Sequence, residues 1–398
     1  MAGVHDDAVA IATEVTKLRR AIHAEPEIGL DLPRTQRKVL DALDGLPLEI
    51  TLGRSLSSVT AVLRGGRPGN TVLLRGDMDA LPVTERTGLP YASLIDGAMH
   101  ACGHDLHTAM LAGAAKLLSA RRHELAGNVI FMFQPGEEGP GGARIMVGEG
   151  VLDAAGERPV AAYALHVASG LLPLGLVASR TGTVMAAADT LHVTVHGRGG
   201  HGSQPHRAAD PIPVACEIVL ALQTMVTRRF DVFDPVVITV GTFHAGTVDN
   251  VIPDDAHFVA TVRSFSPEAR AAMQSAAPRL VWDIASAHGV SATAEFRDGY
   301  PVTVNDGAEL VFAQQTVAGV LGDGKYVAAP NPLTGSEDFS YVLEQVPGAF
   351  MMLGACTPDT DPFSAPFNHS AEAVFDDAVI PDGTALYAEL ALRRLAAS

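Results

Sequence analysis

Nine residues, Met99-His-Ala-Cys-Gly-His-Asp-Leu-His107, hold three histidines, a cysteine and an aspartate. Four chemistries are open to such a stretch. Cys102 is a nucleophile, half of a disulfide, a metal ligand, or an ordinary buried thiol. Three cysteines in 398 residues (Cys102, Cys216, Cys356) are an odd and sparse set, which opposes a disulfide framework. A cysteine and a histidine two apart on an extended loop point the same way and can share one metal ion.

Three more groups carry metal-type ligands. "NTVLLRG" (70–76) reads as a strand and runs into Asp77 and Asp79 of "GDMDALP". "NVIFMF" (128–133) runs into Glu137 and Glu138 of "QPGEEGPGG", and the strand in "VAAYALHV" (160–167) ends on His166. Short apolar runs of this kind are strands buried on both faces of a parallel sheet. In open α/β sheets ligands bind beyond the carboxyl ends of the strands, and all four groups are expected at one such edge. Taken singly, each has an ordinary reading: a lone histidine after a strand is usually packed, and paired glutamates in a loop are usually solvated charge. Their joint placement favours a metal centre. Histidine, thiolate and carboxylate together suit Zn²⁺, or a neighbour such as Mn²⁺, Co²⁺ or Ni²⁺. More than four ligands point to two ions, roughly 3.5–4 Å apart, sharing a bridging group. A thiolate or a carboxylate can bridge and a neutral imidazole cannot, so Cys102 is one good candidate for the bridge. One of Glu137 and Glu138 then binds metal, and the other serves as general base toward a water activated by the ions. Spacing alone does not say which.

The length implies two domains, and 47% hydrophobic residues with 18% charged describe a well-buried globular chain. Helices are expected at 6–23, 34–44 and 105–121, the last with Asp105 near its N-terminus, where a carboxylate suits the helix dipole. The pattern changes near 181. A strand at 189–196, a helix at about 211–229, strands at 236–243 and 256–265, a helix at 267–288 and a strand at 291–297 form a βαββαβ arrangement, that of a ferredoxin-like sandwich. The expected fold is therefore α/β. A catalytic domain with a mostly parallel central sheet flanked by helices occupies 1–180 and 296–398, and a smaller ferredoxin-like domain is inserted at 181–295.

"GRGGHG" (197–202) matches a dinucleotide-binding glycine loop, with Glu217 twenty residues after Gly197. Such a loop opens directly into a helix, whereas "SQPHRAADPIP", with its three prolines, intervenes here. The loop is better read as a tight turn presenting His201 and His206. A net charge of −17 opposes binding to nucleic acid or an anionic membrane. No apolar run approaches the ~18 residues of a membrane span, and the acidic start is unlike a secretory signal, so a cytoplasmic protein is expected.

The motifs "RGDMDALPV", "MHACGHDLHTAML", "FMFQPGEEGPGGARIMVGEGVLD", "GRGGHGSQPH", "DNVIPDDAHFVATVR" and "GSEDFSYV" together resemble the metal-dependent aminoacylase and carboxypeptidase superfamily. The branch they resemble most is the N-acyl-amino-acid amidohydrolases, which include hippurate and indole-acetyl-amino-acid hydrolases. The likeness runs from "LRRAIHAEPEIG" at 18–29 to "FNHSAEAVFDD" at 367–377. It implies that Cys102, His104, Glu138, His166 and His369 hold two divalent ions, with Cys102 as the bridge and Glu137 as the general base. His369 has no signal of its own outside that likeness. Asp79 resembles a residue that orients a ligand, whereas His100 and His107 match no ligand position. Other branches have His-x-Asp where this chain has Asp77-Met-Asp79, a departure that fits a cysteine-bridged branch. The inserted domain resembles a lid and dimerisation domain. There His201 would stabilise an oxyanion, within its own subunit or across a dimer interface, while Asn250 and Arg263 would hold the substrate carboxylate.

The reaction so implied is hydrolysis of an N-acyl-L-amino acid, a small-molecule substrate, by a homodimer or higher homo-oligomer carrying two Zn²⁺ or Mn²⁺ ions per subunit, with Co²⁺ or Ni²⁺ as substitutes. The alternatives are a dipeptidase or carboxypeptidase on the same centre, and a hydrolase with Cys102 as nucleophile.

Overall fold

The computed structural model describes residues 3–397, which form two compact units. The first comprises the chain up to Val184 with Val304–Asn331 and Asp338 onward; the second comprises Met185–Thr303 with Pro332–Glu337. The inserted segment thus starts four residues later than the sequence pattern placed it. It also runs past 295, because its last strand continues to Tyr300 through a register shift between Arg297 and Tyr300.

In chain order the first unit begins with helices α1 (Val4–His23) and α2 (Pro33–Leu43) and strands β1 (Leu48–Leu52), β2 (Val59–Arg64) and β3 (Arg67–Asp77). Then come α3 (His104–Ala120), β4 (Ala126–Gln134), α4 (Gly142–Gly148), β5 (Ala161–Ala168) and β6 (Val177–Ser179). The second unit contributes β7 (Ala187–His196), α5 (Pro211–Arg229), β8 (Val236–Ala245), β9 (Asp255–Ser264), α6 (Pro267–Ala287) and β10 (Ser291–Tyr300). The first unit resumes with α7 (Gly307–Leu321), β11 (Tyr326–Ala328), β12 (Gly348–Gly354) and α8 (Ile380–Ala396).

The first unit is built on an eight-stranded sheet of order β1-β2-β4-β3-β5-β12-β6-β11. Its four central strands, β4, β3, β5 and β12, are parallel, and antiparallel pairs occur only toward the sides. Every residue of β5 is buried, as expected of a strand covered on both faces. Helix α3 is apolar almost all round and lies in the core, touching α1, α8 and β3.

Two buried arginines tie distant segments to this core. Arg75, an unusual residue in the apolar run of β3, donates from Nη1 to Asp77 Oδ2 at 2.7 Å, from Nη2 to Asp338 Oδ1 at 2.9 Å and from Nε to Gln134 Oε1 at 2.9 Å. Asp338 in turn accepts from Gln134 and from the Ala143 amide at the start of α4. Arg19 of α1 pairs with Asp105 at 2.7 Å and with Asp377 at 3.1 Å, and donates to the Tyr91 hydroxyl. Asp105 therefore does not act mainly on the helix dipole, as its position in the first turn of α3 suggested. It is fully buried and faces Arg19 and His23, because an ionised group deep in the protein must be paired.

The second unit is a four-stranded antiparallel sheet of order β8-β9-β7-β10 with α5 and α6 packed on it, the strand order of a ferredoxin-like sandwich. Leu191, Val193 and Val195 of β7 and Phe258, Ala260 and Val262 of β9 point into its core. The intervening residues, His192 and Arg263 among them, point to the other face. The glycine loop at 197–202 is followed by a 3-10 turn at Pro205–Arg207, and α5 begins only at Pro211. Among the described residues no helix is long and apolar enough to cross a membrane.

Gly103 joins the first ligand-type residues to α3 with φ +80°. A Cβ there would lie 2.3 Å from Val167 Cγ2 and 3.1 Å from Phe375 Cε1. The Gly103→Ala protein is expected to be about 1–3 kcal/mol less stable in urea unfolding of the metal-free protein; an unchanged midpoint would contradict this packing.

Candidate metal centre

The carboxyl ends of the four central parallel strands meet at one rim. β3 ends at Asp77, β4 leads into Glu137 and Glu138, β5 carries His166, and the chain leaving β12 reaches His369. Each side chain is placed by its own local structure. The turn at His100–Gly103 closes through the Gly103 amide to the His100 carbonyl, and it sets Cys102 and His104 at the buried start of α3. Asp79 accepts from the amides of Glu137 at 3.0 Å and Glu138 at 2.9 Å, pinning the glutamate pair by its backbone. The Asp79 carboxylate also stands 3.5 Å from His104 Nδ1, so it serves both groups. His369 is held by its amide to the Ala101 carbonyl and has φ +74°, a strained conformation for a residue other than glycine.

The structure gathers the five ligand candidates into two groups that share one atom. Donor atoms of Cys102, His104 and His166 all lie within 4.8 Å of one another, and the same holds for Cys102, Glu138 and His369. Cys102 Sγ is 3.4 Å from His166 Nε2, and His369 Nε2 is 3.1 Å from Glu138 Oε1. A third group brings Glu137 within 4.8 Å of His104 and Glu138 donor atoms. His104 is fully buried, yet neither of its ring nitrogens makes a hydrogen bond; each only faces a carboxylate 3.5 Å away, Asp77 from Nε2 and Asp79 from Nδ1. Buried polar atoms are normally satisfied. An imidazole left unbonded beside a thiol shared by two donor groups fits a pair of cations, and the mixture of imidazole, thiolate and carboxylate is that of a transition-metal or zinc centre.

Charges within the cluster follow from the same crowding. Burial opposes a charge on His104, but Asp77 and Cys102 outweigh it and hold the imidazole's pKa well above its ordinary value. Hydrogen bonds to Cys102 and Glu138 raise His369 to about 10. Burial is the chief force on His166, which with His107 beside it falls well below the ordinary histidine range. Burial also pushes His100, whose ring nitrogens are both unpartnered, down to about 3. Asp77 stays ionised despite burial because Arg75, His104 and His107 face it.

The other candidates lie in the second unit. Val251 pairs with His201, and the Gly202 amide donates to the Asn250 carbonyl at 2.8 Å, so His201 and Asn250 are neighbours. His201 Nδ1 accepts from the Ser203 amide at 3.1 Å and lies 2.9 Å from its hydroxyl, which leaves the proton on Nε2 and directs it outward. Arg263 stands toward the other end of β9, half-buried, with Nη1 on Thr261 Oγ1 at 2.8 Å. His206 is exposed in the 3-10 turn.

Sequence reasoning missed Arg75, Asp338, Gln134 and Asn368. Asn368 Nδ2 donates to the Val167 carbonyl at 2.9 Å, while its Oδ1 accepts from the Ser169 amide. Arg75 did leave a signal: a cation inside an apolar strand must have buried partners.

Parallel-strand ends that gather donors for two cations around one thiol, with a further carboxylate alongside, have the make-up of a dinuclear metallohydrolase. The chain belongs to peptidase family M20/M25/M40, whose family model matches residues 73–393. It is 36% identical over 392 residues to thermostable carboxypeptidase 2 of Saccharolobus solfataricus, covering 98% of this chain and 97% of that one. It is 37% identical to IAA-amino acid hydrolase ILR1-like 5 of Arabidopsis thaliana, over 95% of this chain and 86% of that one. Among solved structures it resembles the Bacillus subtilis YXEP protein, a dinuclear metal-binding peptidase of family M20. The TM-score is 0.84 with 33% identity, over 97% of this chain and 99% of that one.

The bonds to Cys102 and Glu138 favour a proton on His369, so if His369 is a ligand a cation has to displace that proton, and metal affinity should rise with pH between 6 and 8, by about tenfold per unit for each proton released. Competition against a chromophoric chelator across that range measures it. A pH-independent affinity would contradict the charge assignment.

Proposed function

We propose that this enzyme hydrolyses the amide bond of N-acyl-L-amino acids to a carboxylate and a free amino acid. Cys102, His104, Glu138, His166 and His369 would hold two divalent ions, Zn²⁺ or Mn²⁺ with Co²⁺ or Ni²⁺ as substitutes, and Cys102 would be the ligand common to both groups. The observation that carries this reading is the pair of donor groups meeting at Cys102 Sγ with Glu137 beside them. Bound there, the ions would act as Lewis acids on the amide carbonyl and make water a better nucleophile at neutral pH.

The chain's own residues do the rest. Glu137, buried and fixed through its amide by Asp79, takes the proton of the attacking water and delivers it to the leaving nitrogen. His201, with its proton on Nε2, donates to the oxyanion that develops on the carbonyl oxygen. Arg263, with Asn250, receives the α-carboxylate, for which a guanidinium offers paired donors.

Geometry within the second unit bears on the oligomer. His201 and Asn250 lie beyond the Asp255 end of β9, and Arg263 lies eight residues along it, roughly 25 Å at about 3.3 Å per residue. One small substrate does not span that distance. His201 and Asn250 are therefore assigned to one subunit of a homodimer and Arg263 to the other.

The carboxypeptidase relative favours a second reading, cleavage of peptides at the C-terminal residue. Both substrate classes carry a free α-carboxylate, and a panel of N-acyl amino acids and dipeptides separates them by kcat/KM. The Glu137→Gln variant should keep two metals and lose at least about 10²-fold in kcat; near-normal turnover would overturn the role of Glu137. Chelation should abolish activity and added metal restore it, whereas indifference to chelators would instead support Cys102 as a nucleophile.

A further inference from the structure

His107 is buried on α3, three residues after His104. Its ring centroid lies 5.3 Å from that of His104 and 4.7 Å from that of His166. With Asp77 and His104 it forms another group of donor atoms within 4.8 Å, which on proximity alone would make it a ligand. Its hydrogen bonds argue otherwise. Asp77 Oδ2 is taken by Arg75 Nη1 at 2.7 Å, and Asp77 Oδ1 lies 2.5 Å from His107 Nδ1. A carboxylate flanked by a guanidinium only accepts, so His107 Nδ1 carries the proton. His107 Nε2 is then a lone pair, and the Val167 amide donates to it at 2.7 Å. Both ring nitrogens are thereby committed.

The peptide groups on either side of Val167 decide where His166 points. The Val167 carbonyl accepts from His166 Nδ1 at 2.9 Å and from Asn368 Nδ2 at 2.9 Å. With its Nδ1 proton held there, His166 turns Nε2 toward Cys102 Sγ. We propose that His107 is a positioning residue: braced by Asp77 and Arg75, it anchors the Val167 amide so that His166 presents Nε2 to the centre, and His107 itself binds no metal. The chain of contacts runs Asp338, Arg75, Asp77, His107, Val167, His166, and each link is a hydrogen bond or a peptide bond. A histidine ligand whose other nitrogen is held by a carbonyl is fixed in tautomer and orientation. This inference rests on the dinuclear reading above.

The test combines two measurements. In unaltered protein labelled with ¹⁵N in its histidine rings, His107 should be a neutral Nδ1–H tautomer. Its two shifts should stay unchanged when Zn²⁺ is added, while His166 Nε2 moves. In the variants, His107→Leu should weaken one of the two zinc sites by about 10–100-fold and leave the other at its wild-type affinity. His107→Gln, whose side-chain carbonyl can still accept from Val167, should recover most of that loss. A His107 nitrogen that shifts as a ligand does would overturn the inference, and this readout needs no variant to fold. Two zinc ions bound with wild-type affinity by His107→Leu would overturn it as well, with the dinuclear reading intact. Wild-type protein that takes up no metal would overturn the dinuclear reading and this inference with it.

Discussion

One sulfur atom sets the terms for the first unit. Cys102 Sγ must be within reach of an imidazole from the start of α3, an imidazole from β5, a carboxylate from the loop after β4 and an imidazole from the long loop after β12. Four chain segments therefore converge on a point that offers little to any of them without a cation. The cost shows locally. His369 is held at positive φ, neither nitrogen of His104 makes a hydrogen bond, and Gly103 admits no side chain. Such strain persists only where the surroundings over-determine it.

The surroundings do so with charge as well as with apolar packing. Arg75 and Arg19 are both fully buried, and each joins segments remote in sequence: Arg75 links β3 to Asp338, and Arg19 links α1 to Asp105 and Asp377. A buried ion pair contributes little net stability, but removing one partner is costly, which makes it an effective register pin. Asp105 and Asp77 lie on either side of the Cys102–His104 turn, each held by one of these arginines. Helix α3, apolar almost all round, supplies the rigid body between them.

Much of this was legible in the sequence. Apolar runs ending in Asp77, Glu137 and His166 mark parallel strands and place polar groups at one rim, and the switch to βαββαβ near 181 marks the second unit. A cysteine two residues from a histidine marked the turn whose donor atoms lie near that of His166. His369 was not legible from local pattern, because a histidine in a coil segment has no periodicity to mark it; only likeness to a family pointed there. The helix-dipole reading of Asp105 missed its partners because Arg19 lies 86 residues earlier and nothing local links them. Asp338 was hidden for the same reason, and the crowding of histidines at 100–107 misled by number. His100 is fully buried with neither ring nitrogen bonded and His107 is committed at both nitrogens, whereas His104 is the one of the three whose donor atoms group with Cys102.

The proposed chemistry depends on the sharing of Cys102 between two cations. Crystallographic anomalous scattering at the zinc edge, on protein loaded with Zn²⁺, measures this directly. Two ions per chain are expected, roughly 3.5–4 Å apart, with the Cys102 sulfur about 2.3 Å from each. A single ion, or two ions neither of which touches that sulfur, would contradict it.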